Sequence, residues 1–218
     1  MIPEVEGDGK VWNFIGIWSK NRPEWTMTML SNMMNSVTSV TFYDTLGPDS
    51  AEFILKQTEL TTICVSGPYI EKLIQLKNEG KAQNLTHVVS FDPVKKAEID
   101  ACEQVGLSLH VWEDIVQKGV EIEKDIVFKD PISSDVYLFC YTSGTTGDPK
   151  AVMLTHGNML AALTSVSFVG FPFSDEDILV SYLPLAHSME QLLQAFAVTY
   201  GVQIGFYNGD PLKLVEDL

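Results

Sequence analysis

Ten consecutive residues at positions 141–150, Tyr-Thr-Ser-Gly-Thr-Thr-Gly-Asp-Pro-Lys, have the chemistry of an anion-binding loop. Two glycines allow backbone conformations that other residues avoid, and four Ser and Thr hydroxyls can donate hydrogen bonds. Lys150 adds a positive charge at the end of the run. Successive backbone N–H groups in such a turn form an anion-binding concavity, so the stretch predicts a polyphosphate site.

Two interpretations of this loop compete. It is not a Walker A loop, because its glycine spacing is too short and Asp148-Pro149 precedes the lysine. On composition alone, a flexible Ser/Thr/Gly connection between strands is the commoner case. The order Thr-Ser-Gly-Thr-Thr-Gly-x-Pro-Lys is long and is not simple low-complexity sequence, which favours a dedicated phosphate loop.

A second set of reactive residues lies at 183–190, Leu-Pro-Leu-Ala-His-Ser-Met-Glu, between a predicted strand and a predicted helix. His187 and Glu190 are three residues apart, so on a helix they share a face. Such a pair could orient a substrate carboxylate or relay a proton. The alternative is a helix-start histidine capped by local backbone, with Glu190 favoured in the first turn by the helix dipole. Spacing alone favours this alternative.

The remaining histidines suggest no further site. His156 is interpreted as a surface turn residue, and His87 and His110 fall within strand patterns and are predicted to be structural. No group of His, Cys and carboxylate residues has metal-ligand spacing, which argues against zinc. No G-x-S-x-G sequence is present, which argues against an α/β-hydrolase.

Charge and composition narrow the class of protein. The 218 residues include 14 basic and 29 acidic side chains, giving a net charge of −15, which disfavours nucleic-acid binding and docking on anionic membranes. Cys64, Cys102 and Cys140 are widely spaced and odd in number, so we expect reduced, buried thiols. The N-terminus lacks the pattern of a signal peptide and no run has membrane-spanning length, so we expect a soluble, cytoplasm-facing protein.

The elements around both sets of residues predict an α/β fold with a largely parallel sheet layered with helices. The loop directly follows the apolar run 136–140, which has the pattern of a buried strand, and parallel sheets bind ligands beyond the carboxyl ends of their strands. Predicted strands are 11–18, 37–43, 61–65, 86–91, 107–111, 136–140, 151–154, 178–183 and 202–207. Predicted helices follow residue 21 and span about 50–59, 69–77, 94–105, 112–118, 159–166 and 189–200.

Two details complete this prediction. Asp49-Ser50-Ala51-Glu52 resembles a capping box at a helix start. Near the end of the chain, Asp210-Pro211 predicts another helix start, with the beginning of an apolar stripe at Leu212, Val215 and Leu218. Between 119 and 134 the sequence is charged and is predicted to be a connection.

The two motifs together resemble the long-chain acyl-CoA synthetases, a family of adenylate-forming ligases. The phosphate-loop motif is followed some thirty residues later by Leu-Pro-Leu-Ala-His, as in that family. Three further stretches resemble it, namely Gly-Ile-Trp-Ser-Lys-Asn-Arg-Pro-Glu-Trp at 16–25, Tyr-Asp-Thr-Leu-Gly-Pro at 43–48 and Ile-Gly-Phe-Tyr-Asn-Gly-Asp at 204–210. The resemblance covers nearly the whole chain and implies part of the N-terminal domain of an adenylate-forming enzyme.

This resemblance implies a two-step reaction with a fatty acid, ATP and coenzyme A as substrates. The carboxylate attacks the α-phosphate of ATP to give an acyl-adenylate and pyrophosphate, and the coenzyme A thiol then displaces AMP. His187 matches a histidine of the acyl-adenylate pocket and Glu190 an acidic position of the family, and Thr142 is a candidate Mg²⁺ ligand. The implied ATP-phosphate contacts are Thr142, Ser143, Gly144, Thr145, Thr146, Gly147 and Lys150.

The chain also departs from the family pattern. Position 151 is alanine where the family signature has glycine. The later magnesium, ribose and lid motifs are not found, so we expect a partial domain, cut at both ends of 1–218, that is inactive alone. A ligase for aryl or shorter acyl acids and a non-catalytic nucleotide-binding fragment remain alternatives. The expected location is the cytoplasm or the cytoplasmic face of an organelle such as the endoplasmic reticulum, with membrane contact through other segments.

Overall fold

A computed structural model describes residues 2–7, 9–43, 46, 49–142, 148–170, 173–210 and 213–215. Within these residues the strands are β1 (Glu4–Gly7), β2 (Lys10–Trp18), β3 (Thr38–Phe42), β4 (Thr62–Val65), β5 (His87–Ser90), β6 (Ser108–Val111), β7 (Val136–Thr142), β8 (Lys150–Thr155), β9 (Ile178–Ser181) and β10 (Gln203–Phe206). The helices are α1 (Pro23–Met34), α2 (Ser50–Thr58), α3 (Pro68–Asn78), α4 (Lys96–Gln104), α5 (Trp112–Glu121), α6 (His156–Val169) and α7 (Ser188–Tyr200).

The main sheet is parallel except at its β8 edge. Its strand order is β6-β5-β4-β2-β3-β7-β8, and every neighbouring pair is parallel except β7 with β8. β1 pairs antiparallel with the first half of β2, and β9 and β10 form a separate parallel pair. The predicted α/β fold with a largely parallel sheet is therefore confirmed.

Helices cover both faces of this sheet, as expected when buried parallel strands are apolar on both sides. On one face, α2, α3 and α4 pack over β2, β3 and β4, with Ile54 and Leu73 fully buried. On the opposite face, Trp25 and Met29 of α1 pack on Ile17, and α6 and α7 cover β7. Leu185 of the second motif packs on the face covered by α1, whereas Phe139 and Ala151, which flank the glycine-rich loop, pack on the opposite face.

Gly16 in β2 is required by close packing. A Cβ atom there would lie 2.5 Å from Leu60 Cδ2 and 2.7 Å from Ile63 Cγ1, distances that real side chains do not tolerate. Because glycine adds no side chain, Leu60 and Ile63 pack directly over the backbone of β2.

Several sequence predictions need correction. The capping box at Asp49 does not form: its side chain makes no capping hydrogen bond, because the residue is itself near-helical (φ −92°, ψ −2°) and cannot reach back to the first turn. β1 was not predicted, and α5 continues to Glu121, so the predicted connection is partly helical. His156 is not a surface turn residue but the half-buried first residue of α6.

The prediction of buried, reduced cysteines holds within the described residues. Cys64, Cys102 and Cys140 are buried free thiols, and burial raises the pKa of Cys64 to about 12, which keeps it protonated and unreactive. In the same part of the chain, no helix has both the length and the apolar character needed to cross a membrane. Of the helix predicted to begin at Asp210-Pro211, Pro211, Leu212 and Leu218 lie outside the described residues.

Candidate functional site

The two ends of the glycine-rich loop are held together by a strand pair. β7 delivers Thr142 and β8 begins at Lys150, and these two residues are cross-strand partners. The Thr142 hydroxyl lies 3.4 Å from the Lys150 carbonyl oxygen, to which it donates. Both side chains are exposed. The predicted contacts Ser143, Gly144, Thr145, Thr146 and Gly147 lie outside the described residues, but the structure fixes the positions from which this segment leaves and returns.

Side chains of β3 and of the residue that follows it anchor β7 from the side. Thr38 donates to the Val136 carbonyl at 2.6 Å and Thr41 donates to the Phe139 carbonyl at 3.1 Å. Tyr43 donates to the Tyr141 carbonyl at 2.5 Å, next to Thr142. These bonds add to the backbone ladder between β3 and β7, so the strand leading into the loop is rigidly placed.

A cleft of about 520 Å³ opens beside the return of the loop. Asp148, Pro149 and Lys150 line it on one side, and residues of β1 and β2 line it on the other. Apart from Lys150, no Lys or Arg occurs between Lys129 and Lys213. An anion bound near the loop would therefore have Lys150 as its local positive charge from this stretch of the chain.

The segment 183–186, which precedes His187, is tied to the start of α1. The Asn21 side-chain amide donates to the Leu183 carbonyl at 2.6 Å and to the Ser181 hydroxyl at 2.9 Å, and its oxygen accepts the Leu185 N–H at 2.9 Å. Cys140 of β7 donates its thiol hydrogen to the Ala186 carbonyl at 3.2 Å. These contacts connect the second motif to β7 and hence to the phosphate-loop strand.

His187 and Glu190 do not share a helix face. His187 is the N-cap of α7, with extended backbone (φ −99°, ψ 140°), and its Nδ1 accepts the Met189 N–H at 3.2 Å. Its side chain is exposed, whereas Glu190 is fully buried. The prediction of a shared face is wrong because His187 lies outside the helix, and the capping alternative is the observed one. Their catalytic roles stay predictions.

Glu190 is a buried carboxyl group without a positive partner among the described residues. Its Oε1 accepts from Gln194 at 3.5 Å, and its Oε2 makes no hydrogen bond of normal geometry. Burial raises the pKa of Glu190, and nearby donors on Ser181, Gln194 and Leu183 only partly oppose that rise. A carboxyl group in this setting favours its protonated form.

An apolar cavity of about 220 Å³ lies between α1, α6 and α7, above β7. Most of its wall is hydrocarbon, contributed by Met, Leu and Val side chains of the three helices. His156 lines it where α6 follows β8, and burial lowers the pKa of this imidazole, which favours its neutral form. Gln191, one turn into α7, lines it and donates from Nε2 to the Leu185 carbonyl. The cavity is therefore linked through Gln191 to the second motif.

A β-bulge turns Tyr137 toward this cavity. Val136 pairs with Thr155 and Leu138 with Leu154, so Tyr137 is the extra residue between two pairs. As a result Tyr137 and Leu138 pack in the same core cluster under α6 and α7, although they are consecutive. Sequence reasoning missed Tyr137, Gln191 and Asn21. Only Asn21 carried a signal, since it lies in one of the stretches that prompted the resemblance.

No group of three or more His, Cys, Asp or Glu side chains among the described residues could hold a metal ion. Thr142 still fits the chemistry of Mg²⁺, because its exposed hydroxyl and the Lys150 carbonyl beside it are both oxygen ligands. The candidate metal ligand predicted from the sequence is thus placed at the loop end, next to the cleft.

The chain matches known proteins over nearly its full length. A family described as AMP-binding enzyme matches residues 8–218. A peroxisomal acyl-CoA ligase 891 from Penicillium brevicompactum is 36% identical over 214 residues, which is 94% of this chain and 30% of that protein. Long-chain-fatty-acid–CoA ligase 6 from Homo sapiens is 34% identical over 210 residues, with the same coverage of 94% and 30%. The chain thus spans about a third of the length of these relatives.

Solved structures share the fold. The adenylation domain of a carboxylate reductase from Mycobacterium chelonae gives a TM-score of 0.75 at 17% identity, covering 94% of this chain and 33% of that one. The A-PCP didomain of a carboxylic acid reductase from Segniliparus rugosus, solved in complex with AMP, gives 0.75 at 18% identity, covering 94% and 30%. At these identities the likeness concerns the architecture alone.

Proposed function

Because the chain belongs to the AMP-binding enzyme family, we propose that it supplies the phosphate loop and part of the acyl-adenylate pocket of an ATP-dependent long-chain fatty acid–CoA ligase. The observation that carries this proposal is the pairing of Thr142 with Lys150, which holds the ends of the Ser/Thr/Gly segment together at the carboxyl end of a buried strand. Donors fixed before the reaction stabilise the charge that develops on a pyrophosphate leaving group without further reorganisation.

Each described residue has a role in this proposal. Lys150 binds the ATP phosphates as their local counter-charge, and Thr142 together with the Lys150 carbonyl would hold Mg²⁺. The metal, when bound, supplies additional stabilisation of phosphate charge. His187 stands at the exposed start of α7 as a polar wall for the acyl-adenylate. Ser143, Gly144, Thr145, Thr146 and Gly147 complete the phosphate contacts.

We further propose that part of the acyl chain lies in the cavity between α1, α6 and α7. Its apolar wall matches a hydrocarbon chain, and Gln191 bonds it directly to the segment that carries His187. Leu183, Leu185 and Ala186 are held in place by Asn21 and Cys140. The second step, transfer of the acyl group to coenzyme A, is proposed on family grounds.

The test is a titration of the chain with a fluorescent ATP analogue. A hydrogen bond to a charged group is worth roughly 1.5–3 kcal/mol, so Lys150→Ala should weaken ATP binding about 10- to 100-fold. Lys129→Ala removes an equally exposed lysine of the connection before β7 and serves as the matched control. Equal ATP affinity of the two variants would remove the loop from its proposed role.

A further inference from the structure

Two polar atoms in the wall of the α1–α6–α7 cavity have no hydrogen-bond partner among the described residues. They are the hydroxyl of Tyr137 and the side-chain oxygen of Gln191. Tyr137 is 1% exposed and Gln191 is 0% exposed. Leaving a buried donor or acceptor unpaired costs about 1–3 kcal/mol, so two such atoms in one small cavity require an explanation.

The surrounding structure determines that the unpaired atoms are the Tyr137 hydroxyl and the side-chain oxygen of Gln191. The β-bulge in β7 places Tyr137 under α6 and α7 rather than on the opposite face. Burial also raises the pKa of the Tyr137 phenol, so it keeps its proton at neutral pH. Gln191 donates from its amide nitrogen to the Leu185 carbonyl, which can only accept. The Gln191 amide therefore cannot be reversed, and its oxygen is the unpaired atom.

The other polar groups around the cavity are already paired or contribute little. Thr26 donates to Gln194 Oε1 at 2.7 Å, and Gln194 Nε2 donates to Ser181 at 3.1 Å. The remaining wall is mainly apolar, with Met29, Leu163 and Val198 among its members. Besides the His156 imidazole, the cavity thus offers one unpaired acceptor and one unpaired hydroxyl in a mainly hydrocarbon environment.

The volume limits what can bind. At about 220 Å³, the cavity is smaller than the ~300–1,000 Å³ of pockets for drug-sized ligands. It is larger than the ~150 Å³ engineered cavity that binds benzene. A short stretch of acyl chain with one polar substituent fits these limits.

We propose that this cavity selects a hydroxy-substituted carboxylic acid, by binding the part of the acyl chain that carries the hydroxyl group. This inference rests on the proposed function, since it assigns the substrate class of the same acyl site. A ligand hydroxyl donates to Gln191 Oε1 and accepts from the Tyr137 hydroxyl, which satisfies both atoms. A keto oxygen only accepts, so it satisfies Tyr137 and leaves Gln191 unpaired. The expected order of affinity is hydroxy, then keto, then unsubstituted acid.

The substituted position lies away from the carboxyl group. Ala186, next to His187, accepts from Cys140, and Tyr137 lies three residues earlier on the same strand. Since strands rise about 3.3 Å per residue, Tyr137 is about 10 Å along β7 from that contact. The hydroxyl is therefore expected in the middle or at the far end of the acyl chain.

Isothermal titration calorimetry of the chain tests the proposal with decanoic acid and its positional monohydroxy and mono-oxo derivatives. At least one mid-chain or terminal hydroxy isomer should bind at least about tenfold more tightly than decanoic acid, which corresponds to ~1.4 kcal/mol. Tyr137→Phe and Gln191→Met should each reduce this preference, measured for each variant as the ratio of its hydroxy-acid affinity to its own decanoic acid affinity. Tyr141→Phe, on the opposite face of the same strand, should retain it.

The possible results separate the hydroxy-acid inference from the proposed acyl site and from the proposed ligase function. Equal affinity for all the acids, or an unchanged preference in both cavity variants, overturns the hydroxy-acid inference and leaves the proposed ligase function standing. Failure of every acid to bind contradicts the acyl site itself, and the inference fails with it. ATP binding that depends on Lys150 is measured separately, so the two proposals can fail independently.

Discussion

Tyr137 and Tyr141 form a matched pair of buried tyrosines on one strand, and their phenylalanine variants should differ in stability. Tyr137 is 1% exposed and Tyr141 is 0% exposed. The Tyr141 hydroxyl donates to Gln57 Oε1 at 2.7 Å, whereas the Tyr137 hydroxyl has no partner among the described residues. Each substitution removes one phenolic oxygen atom, so the difference in unfolding free energy between the two variants reports the contribution of the Tyr141–Gln57 hydrogen bond.

The magnitude follows from these contacts. A typical intramolecular hydrogen bond contributes about 1 kcal/mol net, so Tyr141→Phe should lower the free energy of unfolding by about that amount. Tyr137→Phe removes a desolvated hydroxyl without breaking a bond, so it should leave stability unchanged or raise it by up to ~1 kcal/mol. For a chain of this length, 1 kcal/mol corresponds to roughly 2–4 °C in Tm.

Thermal unfolding followed by circular dichroism, with urea titrations at 25 °C, measures both variants against the parent chain. We expect Tyr137→Phe to unfold at the higher temperature of the two by at least about 2 °C. A loss of stability in Tyr137→Phe equal to that in Tyr141→Phe would refute the reasoning. It would mean that the Tyr137 hydroxyl is satisfied in the free protein, and the cavity would lose one of its two unpaired atoms.

Four further substitutions test other parts of the structure by thermal unfolding. Gly16→Ala should cost about 1–3 kcal/mol through overpacking, while Gly119→Ala, in open space on α5, should gain about 0.5–1 kcal/mol. Ala151 lies within β8 and pairs with Tyr141, so Ala151→Gly should cost about 0.5–1 kcal/mol, and a gain in Tm would contradict this placement. Because the pKa of Glu190 is raised, its contribution to stability is present below the usual carboxyl pKa and is lost as pH rises through the raised value. The Tm of Glu190→Gln should therefore exceed that of the parent chain by a margin that grows as the pH rises from 4.5 to 7.5. A margin that stays constant over this range would disprove the raised pKa of Glu190.

The alternation of apolar strands with amphipathic helices was enough to predict the α/β architecture. It also predicted the buried strand leading to the loop and the strand after it, because hydrophobic periodicity is a local property of the sequence. The capping box at Asp49 failed because the backbone conformation of that residue depends on the preceding turn. β1 was missed because its exposed, acidic sequence owes its strand form to pairing with β2.

Part of the candidate site was predicted because its residues form a motif that is visible in the local sequence. Thr142 and Lys150 were identified from local sequence, and the structure adds that they are cross-strand partners. Tyr137 could not be predicted, since only the register between β7 and β8 reveals the bulge that turns it. The role of Asn21 could not be predicted, because it lies about 160 residues from the segment that it positions. The shared face of His187 and Glu190 was predicted wrongly, because residue spacing alone does not show that α7 begins after His187.

The position of β7 beside β3 has a consequence for how the protein folds. β2 to β6 follow one another through short crossovers, but β7 reaches the sheet only by closing a loop of about a hundred residues, as the Thr38–Val136 bond shows. Contacts so distant in sequence slow folding because the closure entropy is lost before they form. During synthesis the first six strands can pair before residues 136–155 emerge. The strand that leads into the proposed phosphate loop is therefore expected to join an already formed sheet, late in folding.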